Sequence, residues 1–150
     1  MTPDTPPGLK AALIGGFAAA VLDFLAAMVN SGNGWVRIGQ AIASGLQGQA
    51  AFKGGEASAA LGVAAHTFIL LVVAAIYVLA ARRMDWLWRN PIVAGLILGV
   101  IVYAIMNAIV VPFSAVTQGA GPPDHKRAIM IGIHMLFVGL PIAVSAWKVR

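Results

Sequence analysis

The sequence predicts an all-α polytopic membrane protein, in which four transmembrane helices form a bundle and a further helix lies at the membrane surface. Three observations lead to this fold class. Of the 150 residues, 60% are hydrophobic and only 10% are charged, whereas a soluble domain needs about a quarter of its residues charged. Four apolar runs are each about 20 residues long, enough for a helix to cross the hydrocarbon core of a bilayer. The second run also lacks the two-residue alternation of a transmembrane β-strand.

The apolar runs divide the chain into a tail and one membrane domain. Residues 1–8 contain three prolines and form the predicted flexible tail. The single transmembrane domain covers residues 9–150, because no change of composition divides it further. Asp23 interrupts the first run, which favours a retained span over a signal peptide. The predicted spans are 9–29, 57–81, 91–113 and 128–147.

The segment between the first two spans is amphipathic. Across residues 35–48, apolar residues recur at helical spacing, and polar residues such as Arg37 and Gln40 occupy the positions between them. This pattern predicts a helix that lies in the membrane interface or enters the bilayer in part. An ordinary polar loop is the alternative, because three glycines in the segment lower its helix propensity.

The connector between the second and third spans indicates the orientation of the chain. Residues 81–90 carry three arginines and two tryptophans. Basic residues are retained on the cytoplasmic side, and tryptophans collect at membrane interfaces. With four spans, both termini lie on the same side as this connector, which places six Lys and Arg residues there and four on the other side. We therefore expect a multi-pass protein of the bacterial inner membrane with both termini in the cytoplasm.

The predicted spans contain three ionisable side chains well away from their ends, Asp23, His66 and His134, and Asn107 adds an amide. Ionisable groups are costly in the hydrocarbon core, so their presence indicates a functional site. At a rise of about 1.5 Å per residue, all four fall in the half of the membrane away from the arginine-rich connector. We predict that they form one polar site that opens outward. The alternative is that each of them only holds neighbouring helices together by hydrogen bonds.

Small residues share a helical face with the polar side chain in each of the first three spans. In the third span, Gly95, Gly99, Tyr103 and Asn107 follow one another at steps of four residues. Small residues allow helix backbones to approach closely in membranes. Each polar side chain should therefore point into the bundle. The glycines expected at helix–helix contacts are Gly16, Gly62, Gly95 and Gly99.

Several positions in the last three spans recur at a spacing found in a known family. His66 is followed eleven residues later by Tyr77, and His134 stands early in a fourth span that ends in basic residues. The third span contributes Gly95, Gly99 and Pro112. In these features the chain resembles the YagU-like family of small bacterial inner-membrane proteins, which has histidine where this chain has Asn107. The resemblance implies the fold and an inner-membrane location, but no reaction.

The leading functional expectation is a non-enzymatic membrane protein whose polar site binds or conducts protons or a small polar solute. The alternative is a structural or accessory subunit of a larger membrane complex, and homodimerisation is left open. Haem or metal binding by His66 and His134 is a weaker alternative, and we expect no cofactor and no metal. The sequence contains no cysteine, which excludes thiolate zinc sites and iron–sulfur clusters. The lipid bilayer is the expected partner, and nucleic acid is not.

Overall fold

The computed structural model describes residues 7–115 and 124–149, and the regular elements in these ranges are helical. The α-helices are α1 (Pro7–Ser31), α2 (Trp35–Gln47), α3 (Gly55–Ala81), α4 (Asp85–Arg89), α5 (Pro91–Ile105), α6 (Asp124–Ile133) and α7 (Leu140–Lys148). A 3₁₀ turn, Gly48–Lys53, joins α2 to α3. Two π-helical segments complete the chain: Met106–Val110 extends α5, and His134–Gly139 joins α6 to α7.

Four of these helical stretches are long and apolar enough to cross a membrane. They are span 1 (Pro7–Ser31), span 2 (Gly55–Ala81), span 3 (Pro91–Val110) and span 4 (His125–Lys148). The predicted all-α polytopic fold is therefore confirmed, and the chain is a multi-pass membrane protein. The amphipathic segment between the first two spans is also helical, as α2.

The start of the first span differs from the predicted boundary. Residues 1–6 of the predicted tail lie outside the described residues. Pro7 and Gly8 were assigned to that tail, but the structure places both in α1. Proline is well suited to the first turn of a helix, because its missing N–H would have no partner there.

Two prolines explain the two π-helical segments. Each segment ends two residues before a proline, at Val110 before Pro112 and at Gly139 before Pro141. The Val111 N–H donates to the carbonyl of Met106, five residues back, at 2.8 Å. A proline ring would clash with the carbonyl four residues back in a regular α-helix, and a local change to π geometry relieves this clash within a membrane.

Spans 1 and 4 form the centre of the bundle. Span 1 packs against span 2 on one side and against span 4 on the other, and span 3 packs against span 4. Within the described residues, spans 2 and 3 make almost no direct contact. They therefore lie on opposite flanks, with a gap between them that the central spans do not fill.

The four glycines singled out in the sequence lie buried at contacts between helices. A Cβ atom at Gly16 would lie 2.9 Å from the Cα atom of Leu71 in span 2, and one at Gly95 would lie 2.9 Å from the carbonyl of Gly139 in span 4. A Cβ at Gly62 would overlap the carbonyl of Gly39 in α2, and one at Gly99 would overlap the carbonyl of His134 in span 4. Backbones thus touch directly at these positions.

The end of the bundle next to the connector 82–90, which we call the arginine end, is closely packed. Ile142 and Ala143 of α7 are each 1% exposed there. The Ser145 hydroxyl donates to the carbonyl of Ala11 at 3.0 Å, which links α7 to α1. The short helix α4 covers this end, and the hydroxyl of Tyr77 contacts the carbonyl of Leu87 at 3.5 Å. Spans 2 and 3 are therefore joined through α4 at the arginine end, beside a smaller cavity of about 240 Å³ that Arg82 and Trp88 line.

At the opposite end, α2 packs along the first turns of α3. Its Gly39 faces Ala59 and Gly62 of α3 at backbone distance. The Gln40 amide donates to the carbonyl of Gly55 at 3.2 Å, so a polar side chain of α2 is bonded to the first turn of α3. α2 is followed directly by Gly48, whose φ of 60° is a conformation that glycine adopts without strain. The apolar face of α2 is left to face the interior of the bundle.

Candidate functional site

A cavity of about 730 Å³ lies between the spans at the end that α2 covers. We call this end of the bundle the cavity end. Span 2 contributes Ile69 to its wall, span 3 contributes Val102, and α2 contributes Ile42. The volume falls within the range of about 300–1,000 Å³ that is usual for small-molecule sites. The predominantly apolar wall suits a ligand with a hydrophobic body.

The cavity exists because spans 2 and 3 remain apart. At the arginine end, α4 closes the gap between spans 2 and 3. At the cavity end, α2 and the last residues of span 3 line the space that the gap leaves. The backbone N–H of Ala115 donates to the carbonyl of Gly45 at 2.9 Å, which ties α2 to the residues that follow span 3. The amphipathic helix thus acts as a wall of the cavity.

Asp23 and His66 lie side by side on the cavity wall. Asp23 belongs to span 1 and is 8% exposed, and its Oδ2 atom is 3.6 Å from Nε2 of His66 in span 2. The same Nε2 is 3.3 Å from the carbonyl of Ala20, to which its N–H donates because a carbonyl can only accept. Phe24 flanks the imidazole, with 6.0 Å between ring centroids. Of the four side chains predicted to share a site, the structure thus brings Asp23 and His66 together.

His134 of span 4 lines the same cavity. Its Nδ1 atom is 2.9 Å from the carbonyl of Met130, and Nδ1 must therefore carry the proton. In the neutral ring this leaves Nε2 as an acceptor. Tyr103 of span 3 holds the ring edge-on, with a centroid distance of 5.4 Å and an interplanar angle of 77°. His134 begins the π-helical segment of span 4, and such segments are frequent at functional sites.

Asn107 does not join the other three polar side chains. It is exposed, it is absent from the cavity wall, and its amide donates to the carbonyl of Tyr103 at 2.8 Å within the same span. Each step of four residues along an α-helix overshoots a full turn by about 40°. Two such steps from Gly95 to Tyr103 add up to about 80°, and Asn107, in the π-helical segment that follows, lies off the packing face. The predicted site therefore reduces to Asp23, His66 and His134.

The cavity presents hydrogen-bond acceptors that have no donor within the described residues. The Asp23 carboxylate accepts no hydrogen bond there, and Nε2 of His66, 3.6 Å away, lies at ion-pair distance. No fully enclosed side-chain oxygen or nitrogen in the described ranges lacks a partner. The Asp23 oxygens are thus reachable from the cavity rather than sealed in the core. A ligand with an N–H or O–H group could bind here.

The donor set does not form a metal site. Within residues 7–115 and 124–149, no three His, Asp or Glu side chains are grouped closely enough to hold a metal ion. His66 and His134 each use one ring nitrogen on a backbone carbonyl of the neighbouring or the same helix. These bonds leave the second ring nitrogen of each histidine available, and without a third ligating side chain close by in the described ranges the site is better suited to hydrogen bonding and proton exchange.

Sequence analysis missed two features of the site. Gly39 and Ala43 of α2 are buried against α3 and position the cavity wall. Their four-residue spacing could have indicated this contact, because small residues at such spacing allow helices to pack closely. Gly139 was also missed, although its backbone meets Gly95 of span 3 directly. Its position at the end of the π-helical segment gave no sign of this contact, because the contact depends on the neighbouring span.

Comparisons of the chain with protein-family models, with curated proteins and with solved structures gave no match. The cavity and the side chains on its wall are therefore the basis for proposing a function.

Proposed function

We propose that this membrane protein binds a small ligand in the cavity, and that Asp23, His66 and His134 form the protonatable part of the binding site. The observation that carries the proposal is the Asp23–His66 contact of 3.6 Å on the wall of a cavity of about 730 Å³. A carboxylate in the hydrocarbon region is costly, and residues of this kind occur where they serve binding or proton transfer.

The geometry argues against a purely structural role for Asp23. A polar side chain that joins two membrane helices makes a hydrogen bond across the contact, as Ser145 does to Ala11 at 3.0 Å. Asp23 makes no such bond within the described residues, and its closest approach to His66 exceeds hydrogen-bond distance. Asp23 also lines the cavity, which is the arrangement expected of a ligand-binding group.

Binding is better supported than conduction. Tyr77, Val78 and Ile142 are at most 5% exposed and fill the bundle on the arginine side of the cavity. The polar groups of the site are therefore reached from the cavity end and are sealed from the arginine end by side chains. This arrangement supports a binding site that opens to one side of the membrane.

The orientation and family membership of the chain are part of the proposal. The arginine-rich connector and the excess of basic residues on its side support a cytoplasmic arginine end and cytoplasmic termini. The cavity then opens toward the periplasmic side of a bacterial inner membrane. Membership of the YagU-like family is proposed from the positions of His66, Tyr77 and His134. The chain is proposed to act without enzymatic chemistry of its own.

Single cysteines introduced into the cysteine-free chain test the cavity. Ala65 lines the cavity, whereas its neighbour Ala64 is exposed on the outside of span 2. A thiol reacts with a water-soluble thiosulfonate only as the thiolate, which requires water. We expect Ala65→Cys to react on the order of tenfold faster than the matched control Ala64→Cys.

The reaction rates are measured by mass spectrometry in right-side-out and inside-out membrane vesicles with a charged reagent that does not cross the bilayer. Reaction of Ala65→Cys in right-side-out vesicles supports a cavity that opens to the periplasm. Reaction in inside-out vesicles alone would reverse the orientation and retain the cavity. Equal rates for the two cysteines would contradict a ligand-accessible cavity.

A further inference from the structure

We infer that the ligand of this cavity is a lipophilic amine, held in its ammonium form by Asp23. The inference rests on the proposed function, because it names the class of ligand for the same cavity. Three properties of the wall carry it: the hydrogen-bonding character of the polar groups, the charge of the wall, and the shape of the apolar volume.

The polar groups of the site offer acceptors to a ligand. The Asp23 carboxylate accepts no hydrogen bond from the described residues. His134 uses its Nδ1–H on the carbonyl of Met130, so its Nε2 remains an acceptor in the neutral ring. His66 directs its Nε2–H at the carbonyl of Ala20. A head group that donates several hydrogen bonds suits this set, and an ammonium donates up to three.

The charge of the wall selects a cation. Asp23 is the only acidic residue that lines the cavity in the described part of the chain, and no lysine or arginine lines it there. A carboxylate in a medium of low dielectric constant strongly favours a nearby positive charge. Hydrogen bonds between charged partners are also about twice as strong as those between neutral groups. A carboxylate head group would instead be repelled by Asp23.

The apolar volume accommodates the hydrophobic body of an amine. Side chains such as Ile69, Val102 and Met106 form most of the wall between spans 2 and 3. Because these two spans make almost no contact, the cavity borders the gap between them. The alkyl or aryl part of a bound amine would therefore lie along this gap. Phe24 also lines the cavity next to His66, which places an aromatic ring near the head group of a bound cation.

The test compares three probes that share a ten-carbon chain: decylamine, decanol and decanoate. Decylamine is an ammonium at pH 7, because alkyl amines have the basicity of a lysine side chain. Binding is measured by isothermal titration calorimetry on the full chain in lipid nanodiscs, after subtraction of partitioning into empty nanodiscs. We expect saturable binding of decylammonium that is about tenfold tighter than that of decanol, since a charge-assisted hydrogen bond replaces a neutral one.

Two pairs of variants assign the binding to the cavity. Asp23→Asn should reduce decylammonium affinity to that of decanol, whereas Asp85→Asn, which removes an exposed carboxylate at the arginine end, should leave it unchanged. Ala65→Phe places a phenyl ring on the cavity wall next to His66 without altering the carboxylate, and it should weaken binding. Ala64→Phe, on the outside of the same helix, should not.

The outcomes separate this inference from the proposed function. If decanol or decanoate binds as tightly as decylammonium, and Ala65→Phe weakens that binding, the inference that the ligand is an amine is overturned. The proposal of a ligand-binding cavity is then retained. The absence of saturable binding for all three probes, in a protein whose Ala65→Cys variant reacts with thiosulfonate, would also overturn the amine. If that cysteine is unreactive as well, the proposed function fails together with the inference.

Discussion

The arginine end and the cavity end of the bundle use the same four spans in different ways. At the arginine end, α4 joins spans 2 and 3, and Ile142 and Ala143 pack in the interior. Ser145 is the one polar side chain among the buried residues of α7. At the cavity end, spans 2 and 3 separate, and Asp23, His66 and His134 face the space between them.

The difference shows where small residues close a bundle and where they do not. Gly95 and Gly99 bring spans 3 and 4 into backbone contact, and Gly16 does the same for spans 1 and 2. No comparable pair of small residues joins span 2 to span 3 in the described ranges, so the lateral gap persists wherever no other element fills it. Side-chain size at each pairwise contact, rather than average hydropathy, thus determines the position of the cavity.

The largest expected effect is that of Gly99→Leu, which forces apart a contact on which both ends depend. A Cβ atom at this position would already overlap the backbone of His134 and Met135. We expect the free energy of unfolding to fall by about 3 kcal/mol, the upper part of the range for overpacked sites. Gly132→Leu is the matched control in span 4, because no atom lies within 4 Å of a Cβ there.

The measurement for these glycine variants is unfolding by SDS in mixed micelles, followed by far-ultraviolet circular dichroism. A Gly99→Leu protein as stable as the Gly132→Leu protein would mean that spans 3 and 4 do not touch at Gly99. Close contact at glycines would then not explain why one end of the bundle is closed and the other is open.

A second pair of variants compares the interiors of the two ends. Ile142 is 1% exposed at the arginine end, whereas Ile69 is only half-buried on the cavity wall. Ile142→Ala removes close contacts and should lower the free energy of unfolding by about 2 kcal/mol, while Ile69→Ala should cost about 1 kcal/mol or less. The same SDS titration measures both values. Equal losses would indicate that the cavity end packs as tightly as the arginine end in the membrane.

Much of the fold was predictable from the sequence, because it depends on local properties of the chain. The length and apolarity of the four runs predict the spans, and the spacing of apolar residues across 35–48 predicts α2. The face of span 1 was also predictable, since Ala12, Gly16, Ala19 and Asp23 alternate steps of four and three residues and stay on one side of a helix. These four residues are buried.

The composition of the site was only partly predictable, because it depends on how the spans pack. Asp23 and His66 meet as their helical faces indicate. Asn107 was assigned to the same site by repeated steps of four residues, a rule that drifts around the helix over three turns and leaves it exposed. The cavity itself could not be predicted, since no local pattern shows that spans 2 and 3 remain apart.

The smallest expected effect is that of Asp23→Asn, and it decides whether Asp23 stabilises the bundle or serves the cavity. The carboxylate accepts no hydrogen bond from the described residues, and the amide has nearly its shape, so little stability depends on its charge. We expect the free energy of unfolding to change by about 0.5 kcal/mol or less, below the typical net value of one hydrogen bond.

Ser145→Ala is the reference at the arginine end, where a buried hydroxyl bonded to Ala11 at 3.0 Å is lost. That loss should cost about 1 kcal/mol, because the Ala11 carbonyl then lacks this donor. If Asp23→Asn proves more destabilising than Ser145→Ala, the polar groups of the cavity hold the helices together and the two ends differ less than their packing indicates.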